Sequence, residues 1–319
     1  MLAVHFSHLT ERVKYGCGFN ITPMWHPLRL AEDFATVDVL TGGRVVFGVG
    51  RGYHTREVET FDSPLLDQPA NRDLFEEQVD IVFKAFHDES FSHKGNYYTI
   101  PAEVPYRGYD LKELTVVPRP INRPVECWQP VQSATPRGLD FMAKHDIHGV
   151  IGGGVAEGGA TRRVVEAFTE ARIRAGRQTE VGGALSFGFQ FYIADSQEEA
   201  MTAAGKYYEE NLKMFGPLRL IRALSEEQIE IMSDPKQAPT ADLPHIEDAV
   251  ETGGFLAGPP DQIIEQLKAV EGWYPGLSRI MVSQPVGTPE AVIVEQLQRF
   301  SEEVMPAFKE SAAVVASDD

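Results

Sequence analysis

An α/β fold built from parallel βαβ units is predicted by three observations on this 319-residue chain. Short apolar runs rich in Val, Ile and Phe alternate with amphipathic helical stretches, the pattern of strands that return in one direction. Helix-start signals open several of those stretches. Ser196 precedes Gln197-Glu198-Glu199, and Pro289 stands at a helix start after Thr288. Third, 43% hydrophobic residues give a chain of this length a sizeable core.

Taken in order, residues 1–10 read as the end of a helix. Strands are expected at residues 13–20, 45–49, 125–130, 149–152, 185–194 and 279–283. Helices are expected at 27–40, 71–87, 136–144, 161–175, 196–212, 260–270 and 289–308. Two stretches interrupt the alternation. Residues 91–123 are rich in Pro, Gly and Tyr and read as an excursion over the surface. Residues 214–257 carry the proline-punctuated Ser233-Asp234-Pro235 segment and read as an insertion of lid type. One domain spans 1–310, followed by a disordered tail at 311–319. Six strands fall short of the eight of a closed barrel, which takes roughly 30 residues per unit. Either the sheet is open, or two leading units of about 60 residues are absent.

Composition excludes several function classes. A net charge of −18 disfavours nucleic acid and anionic membrane surfaces, which select basic patches. Cys17 and Cys127 have no metal-ligand spacing and make no disulfide framework, so a reduced cytoplasmic setting is expected. No apolar run approaches a membrane span. A nucleotide-triphosphate loop, a strand followed by G-x-G-x-x-G, a G-x-S-x-G elbow and an H-E-x-x-H pair are all missing from the sequence. No metal site is expected.

Arg51 follows the strand at 45–49 and is flanked by Gly48, Gly50 and Gly52, so backbone can approach a ligand there. The carboxyl ends of strands carry the site in α/β barrels, and an arginine suits bidentate phosphate binding. A surface ion pair is the competing role. Gln132-Ser133-Ala134-Thr135-Pro136 follows another strand and opens a helix, where amides and the helix dipole favour an anion. An ordinary cap by Ser133 or Thr135 is the competing role. Gly152-Gly153-Gly154 offers further amides or a plain loop. Trp25 and His26 also follow a strand end, although a histidine at a helix entry is commonly structural.

These blocks carry a resemblance. Residues 12–20 (RVKYGCGFN), then Pro23, then His26-Pro27-Leu28-Arg29-Leu30-Ala31-Glu32-Asp33, then Gly43-Arg44 through Arg51-Gly52-Tyr53, resemble the bacterial-luciferase-like flavin-dependent monooxygenases, as does Val304-Met305-Pro306-Ala307-Phe308. The resemblance implies a TIM-type (β/α)8 barrel, apparently lacking its first two β/α units. It implies reduced FMN, or the deazaflavin F420 in some branches, at the carboxyl ends of the strands. Arg51 would hold the flavin phosphate, with Gln132, Ser133 and Ala134 completing the cradle. Gly18-Phe19 would match the family's non-prolyl cis peptide beside the flavin ring. Asn20 would reach the flavin edge, Tyr53 would pack near the phosphate or ribityl chain, and His26 is the candidate catalytic group. The resemblance further implies a small organic substrate, dioxygen, a separate flavin reductase and a homodimer. An F420-dependent oxidoreductase and a non-catalytic flavin-binding partner subunit are the alternatives. Family members carry two further units ahead of residue 13, so an incomplete N-terminus is expected.

Overall fold

The computed structural model describes residues 2–103, 105–131, 133–152, 159–218 and 224–308. In chain order these hold α1 (Leu2–Ser7), β1 (Tyr15–Gly16), β2 (Asn20–Ile21), α2 (Pro27–Leu40), β3 (Val45–Gly50), α3 (Thr55–Val58) and α4 (Gln68–His87). The hairpins β4 (His93–Lys94) with β5 (Thr99–Ile100) and β6 (Pro105–Tyr106) with β7 (Tyr109–Asp110) follow. Next come β8 (Cys127–Pro130), α5 (Pro136–Lys144), β9 (His148–Gly152), α6 (Gly159–Arg174), β10 (Leu185–Ile193) and α7 (Gln197–Phe215). The remainder is α8 (Glu226–Ser233), α9 (Ile246–Glu251), β11 (Phe255–Gly258), α10 (Pro260–Trp273), β12 (Arg279–Ser283) and α11 (Glu290–Arg299). No helix among the described residues is long and apolar enough to cross a membrane.

The chain divides into two compact units, Met1–Pro130 with Phe141–His148, and Val131–Asp140 with Gly149–Asp319. In the first, β3 is the central strand. It pairs in parallel with β1 (Tyr15↔Val45), with β2 (Asn20↔Val49) and with β8 (Phe47↔Cys127). The helix α2 starts at Pro27, which has no N–H to leave unsatisfied, and it buries Leu30, Ala31, Phe34, Ala35 and Asp38. That spacing is one helical face. On α4, Leu74, Phe75, Val79, Val82 and Phe86 form the matching face. Phe34, Phe47 and Phe86 meet with ring centroids 4.8–5.3 Å apart, mostly edge to face, and anchor both helices on β3. Asp38 is buried yet not idle, because its Oδ2 accepts from the amides of Ile121 (2.7 Å) and Asn122 (3.4 Å). This ties the excursion at 91–123 back to α2.

In the second unit β10 takes three parallel partners. Its first half pairs with β9 (Leu185↔Gly149) and β12 (Ser186↔Arg279), its last residues with β11 (Gln190↔Phe255). Leu185, Phe187, Phe189, Phe191 and Ile193 are all buried, the period-two signature of a covered face. Ala200, Ala204, Tyr208 and Leu212 of α7 pack with Ile246 of α9 and with Phe255 and Ala257 of β11. At the end of β10 the buried amide of Gln296 on α11 acts like a neighbouring strand. Its Oε1 accepts from the N–H of Ile193 at 2.6 Å, and its Nε2 donates to the Ile193 carbonyl at 3.1 Å.

Four expectations are corrected. The strand expected at 13–20 is two short strands, because five residue steps from Tyr15 to Asn20 oppose four from Val45 to Val49. The extra residue forces Cys17–Phe19 out of the ladder as a bulge does. The stretch 214–257 is not one insertion: its last residues begin β11, a buried strand that pairs with β10. Only four residues long and set between Gly253-Gly254 and Pro259-Pro260, β11 has too little periodicity to stand out. The helix expected at 289–308 ends at Arg299 and continues as a π turn and a 3-10 turn. Finally, no pairing among the described residues closes the strands into the expected barrel; the architecture is an α/β fold with parallel sheet. The tail at 311–319 and residues 219–223 lie outside the described residues.

Candidate flavin and substrate site

Gly18, Phe19, Asn20 and Arg51 lie against or directly after the carboxyl-terminal half of β3. The Gly18–Phe19 peptide is cis. The Cys17–Phe19 segment lies directly on β3, and a Cβ on Gly48 would overlap the Cys17 carbonyl oxygen. A Cβ on Gly50 would stand 3.4 Å from the Phe19 Cβ. The glycines of this strand are therefore room for a second backbone. Asn20 donates from Nδ2 to the Gly48 carbonyl (2.8 Å), which pins the returning chain to β3. That bond uses one of its two amide hydrogens and leaves the other, with the oxygen, for a ligand.

Arg51 follows β3 and is half-buried. Its Nη1 donates to Asn71 Oδ1 (3.2 Å) and at the long limit to Gln68 Oε1 (3.5 Å), while Asn71 Nδ2 returns a bond to the Arg51 carbonyl (3.1 Å). Both partners are neutral amides at the start of α4. Among the described residues no carboxylate stands within ion-pair distance of Arg51, unlike the surface ion pair that competes with the phosphate role. Burial, and next the charge of Arg72, push the Arg51 guanidinium below its ordinary value, with Glu76 opposing them. A half-buried cation held by neutral groups gains from an arriving anion. Tyr53, two residues on, is 49% exposed.

His26 caps α2, its Nδ1 accepting from the Leu28 amide at 3.3 Å. An accepting Nδ1 places the proton of the neutral ring on Nε2. The ring is set edge-on to Tyr98, centroids 5.4 Å apart. Burial lowers the His26 pKa, with Glu32 acting against it. The sign follows: with the folded pKa below the unfolded value of about 6.5, the cap contributes fully above that value. Its contribution is lost as pH falls through the folded pKa. Relative to neighbouring amides, exchange at Leu28 is expected to quicken as pH falls across that window, and a pH-independent rate ratio would contradict the cap.

Gln78 was not expected from the sequence. It is fully buried on α4, and its Nε2 donates to both the Trp25 carbonyl (2.8 Å) and the Tyr98 hydroxyl (2.9 Å). Asn71 and Gln78 are seven residues apart on one face, about 10 Å along the helix. The available signal was two amides at heptad spacing on an otherwise apolar face.

In the second unit Ser133 and Ala134 are exposed just ahead of α5. Gln132, Gly153 and Gly154 lie outside the described residues. No group of three or more His, Cys, Asp or Glu side chains among the described residues is arranged to hold a metal ion.

The family model described as luciferase-like monooxygenase matches residues 1–275, so the chain belongs to that family, one of oxidoreductases. Among its relatives, the oxygenase component of the flavin-dependent trigonelline monooxygenase of Acinetobacter baylyi is 24% identical over 95% of this chain and 78% of its own length. The F420-dependent glucose-6-phosphate dehydrogenase of Amycolatopsis mediterranei is 24% identical over 94% and 80%. An uncharacterized protein, y4vJ of Sinorhizobium fredii, is 33% identical, but over only 32% of this chain and 28% of its own length. The monooxygenase RslO1 of Streptomyces bottropensis shares the fold, with a TM-score of 0.72 at 19% identity over 96% of this chain and 82% of that one.

Proposed function

We propose that this chain is the oxygenase component of a two-component monooxygenase that takes reduced FMN from a separate reductase and uses dioxygen on a small organic substrate. The observation that carries the flavin assignment is Arg51, a half-buried guanidinium at a strand's carboxyl end with amide partners and, among the described residues, no carboxylate. Likeness along nearly the whole chain to an oxygenase component supports the reaction class. Arg51 binds the phosphate, and Gln68 and Asn71 hold the guanidinium in place. Gly18, Phe19 and Asn20 offer a wall of backbone to the flavin ring, and Tyr53 lies near the phosphate arm. Reduced flavin, when bound, supplies the electrons for activating dioxygen. His26 holds a proton at Nε2 and serves as a donor to the reacting group, not as a base in its resting state.

Arg51→Ala is expected to weaken FMN about ten- to a hundredfold, the worth of one charge-assisted contact of ~1.5–3 kcal/mol. Riboflavin, which lacks the phosphate, is expected to bind both proteins alike. Equal losses for the two ligands would remove the phosphate role. F420-dependent hydride transfer is the second reading, favoured by the likeness to the Amycolatopsis dehydrogenase. Anaerobic titration with reduced FMN and with reduced F420 separates them. Tight binding of reduced F420 alone would replace the first reading by the second.

A further inference from the structure

We propose that Gln78 is a positioning residue, which fixes the Trp25-His26 turn and the Tyr98 ring as one unit and so sets the environment of the His26 imidazole. The proposal rests on the reading of His26 as a site residue. Its geometry belongs to the first unit alone.

Gln78 has no exposed surface, and its amide orientation is determined. The Trp25 carbonyl can only accept, so the group 2.8 Å from it is the nitrogen. The same nitrogen donates to the Tyr98 hydroxyl, so the two hydrogens of one amide join the turn after β2 to the β4–β5 hairpin. Tyr98 then meets His26 edge to face. His26 is thus confined from two sides, by its peptide neighbour Trp25 and by the Tyr98 ring, both anchored on a single buried side chain. The opposite amide atom, Gln78 Oε1, is buried and has no hydrogen-bond partner among the described residues. An unsatisfied buried acceptor is costly, so the position is not explained by stability alone.

The hairpin is itself held in register. Glu77, the residue beside Gln78, accepts from the amides of Asn96 (2.9 Å), Tyr97 (3.1 Å) and Tyr98 (2.8 Å), and from His93 Nε2 at 3.1 Å. Adjacent residues of α4 therefore grip the Tyr98 backbone and the Tyr98 hydroxyl separately. The charged and titratable groups facing His26 are Glu32 on α2, itself paired with Arg29 at 2.8 Å, and Tyr98 on the hairpin. Burial pushes the Tyr98 hydroxyl up, with Glu77 adding to this and the Gln78 hydrogen bond opposing it; the phenol stays protonated at neutral pH.

The test is the NMR titration of His26 in the full chain, in the native protein, in Gln78→Met and in Tyr98→Phe. Methionine keeps the volume and removes both hydrogen bonds; phenylalanine keeps the ring and removes one. Loosening the turn admits water to the imidazole, so Gln78→Met is expected to raise the His26 midpoint by about half a pH unit or more. Tyr98→Phe is expected to shift it the same way by less. A folded Gln78→Met with the native His26 midpoint overturns the proposal. Should that variant fail to fold, an unmoved midpoint in Tyr98→Phe overturns it instead. FMN and riboflavin titrations of the same proteins report on the function proposed above separately: a native chain that binds neither flavin defeats that function while the His26 midpoints are still read.

Discussion

Gly48→Val is expected to destabilise the protein by about 3 kcal/mol or more, at or above the upper end of ordinary overpacking. The obstruction is backbone. A side chain on Gly48 meets the Cys17 carbonyl oxygen, which cannot rotate away as a flexible side chain would, and then the Phe19 ring edge at 3.1 Å. The Cys17–Phe19 segment must move off β3, and with it the Asn20 bond to the Gly48 carbonyl. Flavin-ring binding is therefore expected to fall along with stability, so that riboflavin and FMN lose affinity together. This contrasts with Arg51→Ala, where the phosphate alone matters. Urea denaturation and riboflavin titration of the variant check both parts; a native urea midpoint would show that the segment has slack that the contact distances deny.

The second large effect is in the core beneath the site. Phe86→Ala is expected to cost ~3–5 kcal/mol, the range for a buried phenylalanine whose cavity cannot collapse. Collapse is hindered because Phe86 has no exposed surface and is flanked by two other rings, Phe34 at 5.0 Å and Phe47 at 5.3 Å. Those rings hold α2 and α4 on β3, and none of them is among the groups proposed to bind ligand. Phosphate discrimination between FMN and riboflavin is expected to survive in whatever fraction remains folded. Loss of that discrimination at conditions where the variant is folded would mean that the core also sets the position of Arg51.

Much of this was legible in the sequence, for identifiable reasons. The helices Pro27–Leu40 and Pro136–Lys144 are as expected, since proline at the first position marks each start. The strand Arg279–Ser283 also matches, bounded by polar residues on both sides. Boundaries failed where tertiary contacts override local pattern. Residues 13–20 have the composition of one strand, but the count of partners on β3 breaks it. Phe255–Gly258 is recognisable only through its pairing with β10. At the site, Arg51, His26 and the glycines were visible because position relative to a strand end and residue type together are informative. The amides of Gln68, Asn71 and Gln78 were not, since a glutamine on a helix ordinarily faces solvent. Only the fold shows that the amides of Asn71 and Gln78 turn inward, onto Arg51 and Trp25, while Gln68 reaches Arg51 from the surface.

The amide of Gln296 has a consequence for how the second unit comes apart. A side chain that both accepts from and donates to one residue of β10 copies the hydrogen bonding of a peptide group. Arg299, one turn further along α11, adds a 3.0 Å bond to the same Ile193 carbonyl. Peeling α11 away would strip the sheet's last rung as well as uncover apolar surface, so helix and strand end form one cooperative block. Proteases acting at the edges of this unit will then find α11 closed until β10 itself opens, and the two segments will exchange their amide hydrogens at a common rate.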